Sequence, residues 1–367
     1  MLDLIKIRKD LHKIPELAFE EFKTQEYLLN ILKAFKDIEI HTFDFPGILV
    51  EYSHGDGDYK LFRSDMDALP ITEETDCDFK SAHQGKMHAC GHDMHMTILL
   101  GLIDKVISEK IAKNILFLFQ PAEEGKGGAK RILETGVLDK YNISAAYALH
   151  VIGGIPVGTI STRPGIFFAN TEEVDVIFKG RSAHVALAEK GKDALEAGVE
   201  FYRLVNERVK EKFNNSKEIL CKFGKMNAGN VRNAIAADCR LEGTIRAFSV
   251  EDHDLLKEIV KNSVKEISRK FNINGKCEYS SYYKALINDK KLYKEFVNKI
   301  SDSKYTFREA DRLIGGEDFG FFAEKYTGLF FCLGANQGEE QDLHSSRFLP
   351  NEKAIEVGIE VFLKLIR

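Results

Sequence analysis

The densest run of chemically capable side chains is His88-Ala89-Cys90-Gly91-His92-Asp93, and four of the eleven histidines lie between residues 83 and 95. Imidazole and thiolate bind divalent transition metals, and hard carboxylates complete hydrolytic sites. Cys90 and His92 flank Gly91. In an extended segment that spacing puts both side chains on one side, and the glycine leaves room for close approach to a metal. Read alone, the same pair also fits a buried thiol followed by a helix-capping imidazole. His83, His88 and His95 read as structural residues or as groups that tie down the other nitrogen of a ligand imidazole.

A second element is Glu123-Glu124, after the apolar run Ile115-Leu116-Phe117-Leu118-Phe119. Adjacent carboxylates can point to different places, one to a metal and one to a bound water, although such a pair by itself is an ordinary solvated turn. Asp65 and Asp67 follow Lys60-Leu61-Phe62 in the same manner. Asp67 is placed to orient or bridge metals, and Asp65 to cap or to pair with Arg63. His150 ends the run Ala145-Ala146-Tyr147-Ala148-Leu149, where a satisfied core histidine is the alternative. His344, in Asp342-Leu343-His344-Ser345-Ser346, carries little signal alone.

The elements that must position these groups follow from periodicity. Residues 3–13 and 20–36 have helical spacing. Short apolar runs separated by helical segments predict a mostly parallel sheet in an α/β domain. Ligand sites in such sheets lie beyond the carboxyl ends of the strands, where the polar stretches begin. The middle of the chain differs. Residues 172–179 alternate, 190–212 are helical, 217–224 and 235–247 read as strands, 250–271 as an amphipathic helix and 275–281 as a last strand. That βαββαβ order predicts an inserted α+β domain over 170–281, with 1–169 and 282–367 forming the metal-binding catalytic domain. A chain of 367 residues, 44% hydrophobic, has room for both cores. The net charge of −5 is well mixed, which disfavours a nucleic-acid partner. No apolar run reaches the ~20 residues of a membrane span. The amino terminus lacks the pattern of a signal peptide, so a cytoplasmic setting is expected, with the six scattered cysteines reduced.

Taken together, LHKIPELAFEE, DMDALPI, MHACGHDMH, QPAEEG, ALHV, GRSAH, GTIR, GGEDF and LHSSRF stand in the order found in the aminoacylase and carboxypeptidase family of dinuclear metallo-amidohydrolases. The chain resembles the branch that uses a Cys ligand and cleaves N-acyl amino acids. The resemblance implies a zinc-peptidase-like catalytic domain with a ferredoxin-like insert that acts as a lid and dimerisation domain. It implies two divalent metal ions (zinc, cobalt or manganese) held by Cys90, His92, Glu124, His150 and His344. Glu123 becomes the general base, and Asp67 supports the metals. His184 becomes the histidine that polarises the scissile carbonyl, sometimes across a dimer interface. Asn233, Arg246, Gly315 and Gly316 fall at substrate-lining positions. The expected partners are a small N-acyl amino acid and a second copy of the chain, joined through the lid. Two stretches depart from the family pattern. Ala188-Glu189 stands where Pro-His is common, and Asn233-Ala234-Ile235-Ala236 where Asn-Val-Ile-Pro or Asn-Val-Ile-Ala is common. Both fall on the lid, so they bear on substrate identity.

Amide hydrolysis demands such parts, because the amide is a poor electrophile and neutral water a poor nucleophile. Metal ligation lowers the pKa of water from 15.7 to about 7. Because His184 falls in the inserted domain, domain closure before chemistry is expected. Two other readings use the same residues: a metal-containing amino-acid-binding protein without turnover, and a dipeptidase or hippurate-type aminoacylase.

Overall fold

The computed structural model describes residues 2–54, 57–301, 303–338 and 341–367. The run Asn114–Gln120 (NILFLFQ) is buried at every position. A strand apolar on both faces belongs inside a sheet that is covered on both sides, which is the parallel case. Tyr59–Asp65 and Ile143–Pro156 follow the same logic over their buried stretches, as does Gly328–Asn336. Among the described residues these four form the centre of an eight-stranded sheet. Its order is Glu39–Thr42, Ile48–Tyr52, Asn114–Gln120, Tyr59–Asp65, Ile143–Pro156, Gly328–Asn336, Thr159–Thr162 and Thr306–Glu309. The central pairings are parallel, with Asp65 opposite Gln120 and Cys332 opposite His150. Ile48–Tyr52 pairs antiparallel with Asn114–Gln120, so the sheet is mixed towards that edge.

Helices His92–Ser108 and Lys353–Ile366 pack on each other and on the central strands. Their close approach depends on Gly101, where a Cβ would stand 2.3 Å from Ile359 Cδ1. Phe62, Tyr147, Phe331 and Phe362 fill the space beneath with stacked and edge-on rings. Burying this apolar surface, at roughly 25 cal/mol per Å², is the main stabilisation of the layer.

The chain divides into two compact units: Met1–Phe167 with Leu286–Asp311 and Asp318–Arg367, and Phe168–Ala285 with Arg312–Glu317. The second unit has its own antiparallel sheet, ordered Asn274–Tyr283, Asn170–Lys179, Asp238–Ala247, Ile219–Ala228. Along Asn170–Lys179, Val174, Val176 and Phe178 point into its core, while Glu173 and Lys179 face solvent. Helices Ala194–Phe213 and Val250–Phe271 cover the inner face. Each starts on a capping side chain: Asp193 accepts from Leu195 and Glu196 N–H, and Ser249 from Asp252 N–H. Each ends on a left-handed asparagine, Asn214 or Asn272.

At the carboxyl ends of the central strands lies a buried ionic network within the first unit. Arg63 donates to Asp65 Oδ2 (2.8 Å), Gln120 Oε1 (2.8 Å) and Asp318 Oδ1 (2.7 Å). Asp318 also accepts from Gln120 Nε2 and Ala129 N–H. Removing the cation from a buried ion pair leaves uncompensated carboxylates and costs about 3–5 kcal/mol. Arg63→Leu is therefore expected to lower unfolding stability by about that amount in urea titration, and a loss under about 1 kcal/mol would contradict the network's role.

Candidate metal centre

Cys90, His92, Glu124, His150 and His344 come from four separate stretches and converge. The donor atoms of Cys90, His92 and His150 lie within 4.8 Å of one another, and so do those of Cys90, Glu124 and His344. The two triads share Cys90. His150 Nε2 is 3.2 Å from Cys90 Sγ, and His344 Nε2 is 3.2 Å from Glu124 Oε1.

The local backbone aims these groups. His150 lies within Ile143–Pro156, opposite Cys332 of the parallel neighbour. Gly91 has φ +84° and caps the helix that begins at His92. A Cβ there would sit 2.4 Å from Val151 Cγ2, so glycine is required by both conformation and space. Ala122 (φ +57°) and His344 (φ +64°) also adopt the left-handed region without being glycine. Such residues cost of order 1 kcal/mol or more each and persist where surrounding contacts hold them. Those contacts are visible. Ala122 N–H donates to Glu21 Oε1 (2.8 Å), and His344 N–H donates to the Ala89 carbonyl (2.9 Å).

Hydrogen bonds also settle which imidazole nitrogens face inward. His92 Nδ1 donates to the Asp67 carbonyl (2.8 Å), and His150 Nδ1 donates to the Val151 carbonyl (2.7 Å). In both rings Nε2 is then the lone-pair nitrogen available to a metal. Among the described residues His92 Nε2, although buried, has no hydrogen-bond partner. His95 has none to spare: Nε2 accepts from Val151 N–H (2.9 Å) and Nδ1 donates to Asp65 Oδ1 (2.6 Å). It supports the site instead. His83 is tied to the Pro15 carbonyl and Lys23, away from the cluster. His88 is buried near His12, and that burial pushes it down to about 3.

Asp67 joins the two halves of the site. Its carbonyl holds His92, and its Oδ2 accepts the Glu124 N–H (2.8 Å). Glu123 is buried in the same loop. Burial opposes the charged form of His92, yet the Asp65 and Asp67 carboxylates outweigh it and raise that imidazole to about 10. Burial, then Glu124, Glu123 and Asp65, hold the Cys90 thiol well above its usual range. Both shifts have the surrounding buried carboxylates among their causes. Convergent N, S and O donors, an unbonded inward nitrogen and surplus buried carboxylate together fit divalent metal ions.

The remaining candidates lie on the second unit. His184 is exposed, and its Nδ1 accepts from Ala186 N–H (3.1 Å), so its neutral ring carries the proton on Nε2. Asn233 lies beside it, its carbonyl accepting Val185 N–H (3.1 Å). Arg246 donates to the Ile314 carbonyl (3.1 Å), next to Gly315 and Gly316. A Cβ on Gly316 would press to 2.7 Å from Thr171 Oγ1. Two supporting residues escaped the sequence reading. Glu21, pushed up to about 8 by burial and by Asp67, positions the Glu123-Glu124 loop, and Asp318 anchors Arg63. Glu21 falls at the start of the 20–36 helical stretch and Asp318 in a polar loop, and neither setting singles the residue out; only the joint motif pattern marked LAFEE and GGEDF.

Residues 61–367 match the model of peptidase family M20/M25/M40. The chain is 39% identical to an N-acetyldiaminopimelate deacetylase of Oceanobacillus iheyensis, covering 100% of this chain and 99% of the relative. It is 40% identical to the enzyme of that name from Bacillus subtilis, covering 98% and 96%. A solved dinuclear metal-binding peptidase of the M20 family from Bacillus subtilis superposes with TM-score 0.83 at 28% identity, covering 99% of this chain and 96% of that one. Each shares the full span that carries the cysteine, histidine and carboxylate set, and this chain belongs to peptidase family M20/M25/M40.

Proposed function

We propose that this chain hydrolyses the amide bond of N-acetyl-LL-diaminopimelate, releasing acetate and LL-diaminopimelate in a lysine-forming sequence. The observation that carries the reading is a buried Glu123 beside a convergent set of metal-binding donors, in a chain whose full-length relatives bear the deacetylase name. Cys90, His92, Glu124, His150 and His344 hold two divalent ions, zinc, cobalt or manganese. Those ions, when bound, supply Lewis acidity towards the amide carbonyl and acidify a water molecule. Glu123 holds the water's proton at its carboxylate and passes it to the departing amine nitrogen. Asp67 keeps His92 and the Glu124 backbone in register through its carbonyl and Oδ2. His184 presents an Nε2–H donor to the oxygen that gains charge, a role supported by its Nδ1 already accepting from Ala186. Asn233, Arg246, Gly315 and Gly316 line the substrate.

A homodimer joined through the second unit is part of this reading. Val185, Leu187, Val199, Tyr202 and Val231 are large apolar side chains exposed on that unit. So is a cytoplasmic setting, in which Cys90 stays reduced. Among the described residues no helix is long and apolar enough to cross a membrane.

The discriminating experiment is a panel of acyl amino acids and dipeptides, headed by N-acetyl-diaminopimelate, assayed with added metal; preference for a hippurate-type substrate or a dipeptide would overturn the substrate assignment. A chelator is expected to abolish turnover and added zinc, cobalt or manganese to restore it. Glu123→Gln is expected to retain metal while kcat falls by on the order of 10²–10⁴, and near-normal turnover would remove Glu123 as the base. For His184→Ala the loss, roughly 10²–10³, is expected in kcat rather than KM, and an unchanged kcat contradicts the oxyanion role.

A further inference from the structure

A second group of metal-binding donors lies in the first unit, apart from the centre described above: His12, Glu73 and Cys77. Their donor atoms lie within 4.8 Å of one another. His12 Nε2 is 3.2 Å from Glu73 Oε1, and Cys77 Sγ is 3.7 Å from the same oxygen. In a tetrahedral zinc site, bond lengths near 2.0–2.3 Å place N and O donors about 3.3 Å apart and S and O donors about 3.6 Å apart. The N···O and S···O separations match that geometry, and the N···S pair lies within 4.8 Å.

The surroundings are those of a built site. His12 is fully buried, and its Nδ1 lies 2.8 Å from Asp93 Oδ2. A carboxylate on the far nitrogen fixes the ring and directs the Nε2 lone pair outward, the arrangement typical of metal-bound histidine. Asp93 is itself held by Arg8 Nε at 3.1 Å. The Phe79 ring packs edge-on against His12 (5.5 Å) and beneath the Arg8 guanidinium (4.5 Å), which fixes the chain two residues past Cys77. Glu73 is oriented by Ser81 N–H on Oε2 (2.7 Å) and by the Thr75 hydroxyl on Oε1. The Thr75 hydroxyl is also 3.3 Å from Cys77 Sγ. Cys77 is partly exposed, which provides an entry path. With Nδ1–H given to Asp93, the Nε2 contact with a carboxylate oxygen needs a positive charge between them: a second proton or a metal ion. The Cys77 thiol, which donates to the same oxygen, closes the third corner with a ligand type suited to a soft divalent ion.

We infer that His12, Glu73 and Cys77 form a third, mononuclear site for zinc or a similar thiophilic divalent cation, additional to the ions of the hydrolytic centre. Binding displaces two protons to solvent, the Cys77 thiol proton and the proton that otherwise lies between His12 Nε2 and Glu73 Oε1. The test uses the full chain, stripped of metal, reloaded with zinc and freed of excess by gel filtration. Wild type is expected to retain one zinc equivalent more than Cys77→Ser. Zinc is also expected to suppress alkylation of Cys77, located by peptide mass mapping. That protection should persist in Cys90→Ser, a variant that disables the hydrolytic centre, so failure of one site is distinguishable from failure of the other. Equal zinc content in wild type and Cys77→Ser, or labelling of Cys77 that is indifferent to zinc, overturns the assignment and leaves a proton-bridged structural cluster.

Discussion

Like charges buried together repel, and the catalytic half of this chain is organised around that constraint. Asp65, Asp67, Glu123, Glu21 and Asp318 are all buried. Arg63 pairs with both Asp65 and Asp318, while the neutral His95 ring donates a hydrogen bond to Asp65. Backbone N–H groups serve where cations do not, as Glu124 N–H does for Asp67 and Ala122 N–H for Glu21. Burial, with Asp67 adding to it, pushes Glu21 up to about 8 and Asp318 up to about 6.

The backbone around the cluster was made rigid where precision matters. The left-handed turns at Gly91, Ala122 and His344 each redirect a donor-bearing segment, and each is fastened by packing or by a hydrogen bond to a distant part of the chain. Preorganisation of this kind lets ligands meet a metal without first losing their own conformational freedom.

Much of this was legible in the sequence, for identifiable reasons. The buried run at Asn114–Gln120 and the alternation at Asn170–Lys179 are strong periodic signals, and they correctly separate a mainly parallel sheet from an antiparallel one. Polar residues that follow apolar strands mark a site because strand ends are where the ladder stops. Loops have no period. His344 was recognisable only through its motif, and Glu21 and Asp318 act through tertiary distances that local composition does not encode. The His12–Glu73–Cys77 cluster was invisible for the same cause: its members are 61 and 4 residues apart and meet only because Phe79 and Asp93 bring their segments together.

The position of Gly328–Asn336 has a consequence for how the chain is made. This strand sits between Ile143–Pro156 and Thr159–Thr162, yet it is synthesised almost last. Until the ribosome has passed residue 336, Ile143–Pro156 presents an open, apolar edge while the whole Phe168–Ala285 segment has already emerged. The second unit lacks only its short Arg312–Glu317 piece and can condense early. The first must wait with an unpaired strand, which is the interval in which a nascent chain is most open to wrong pairing or chaperone capture.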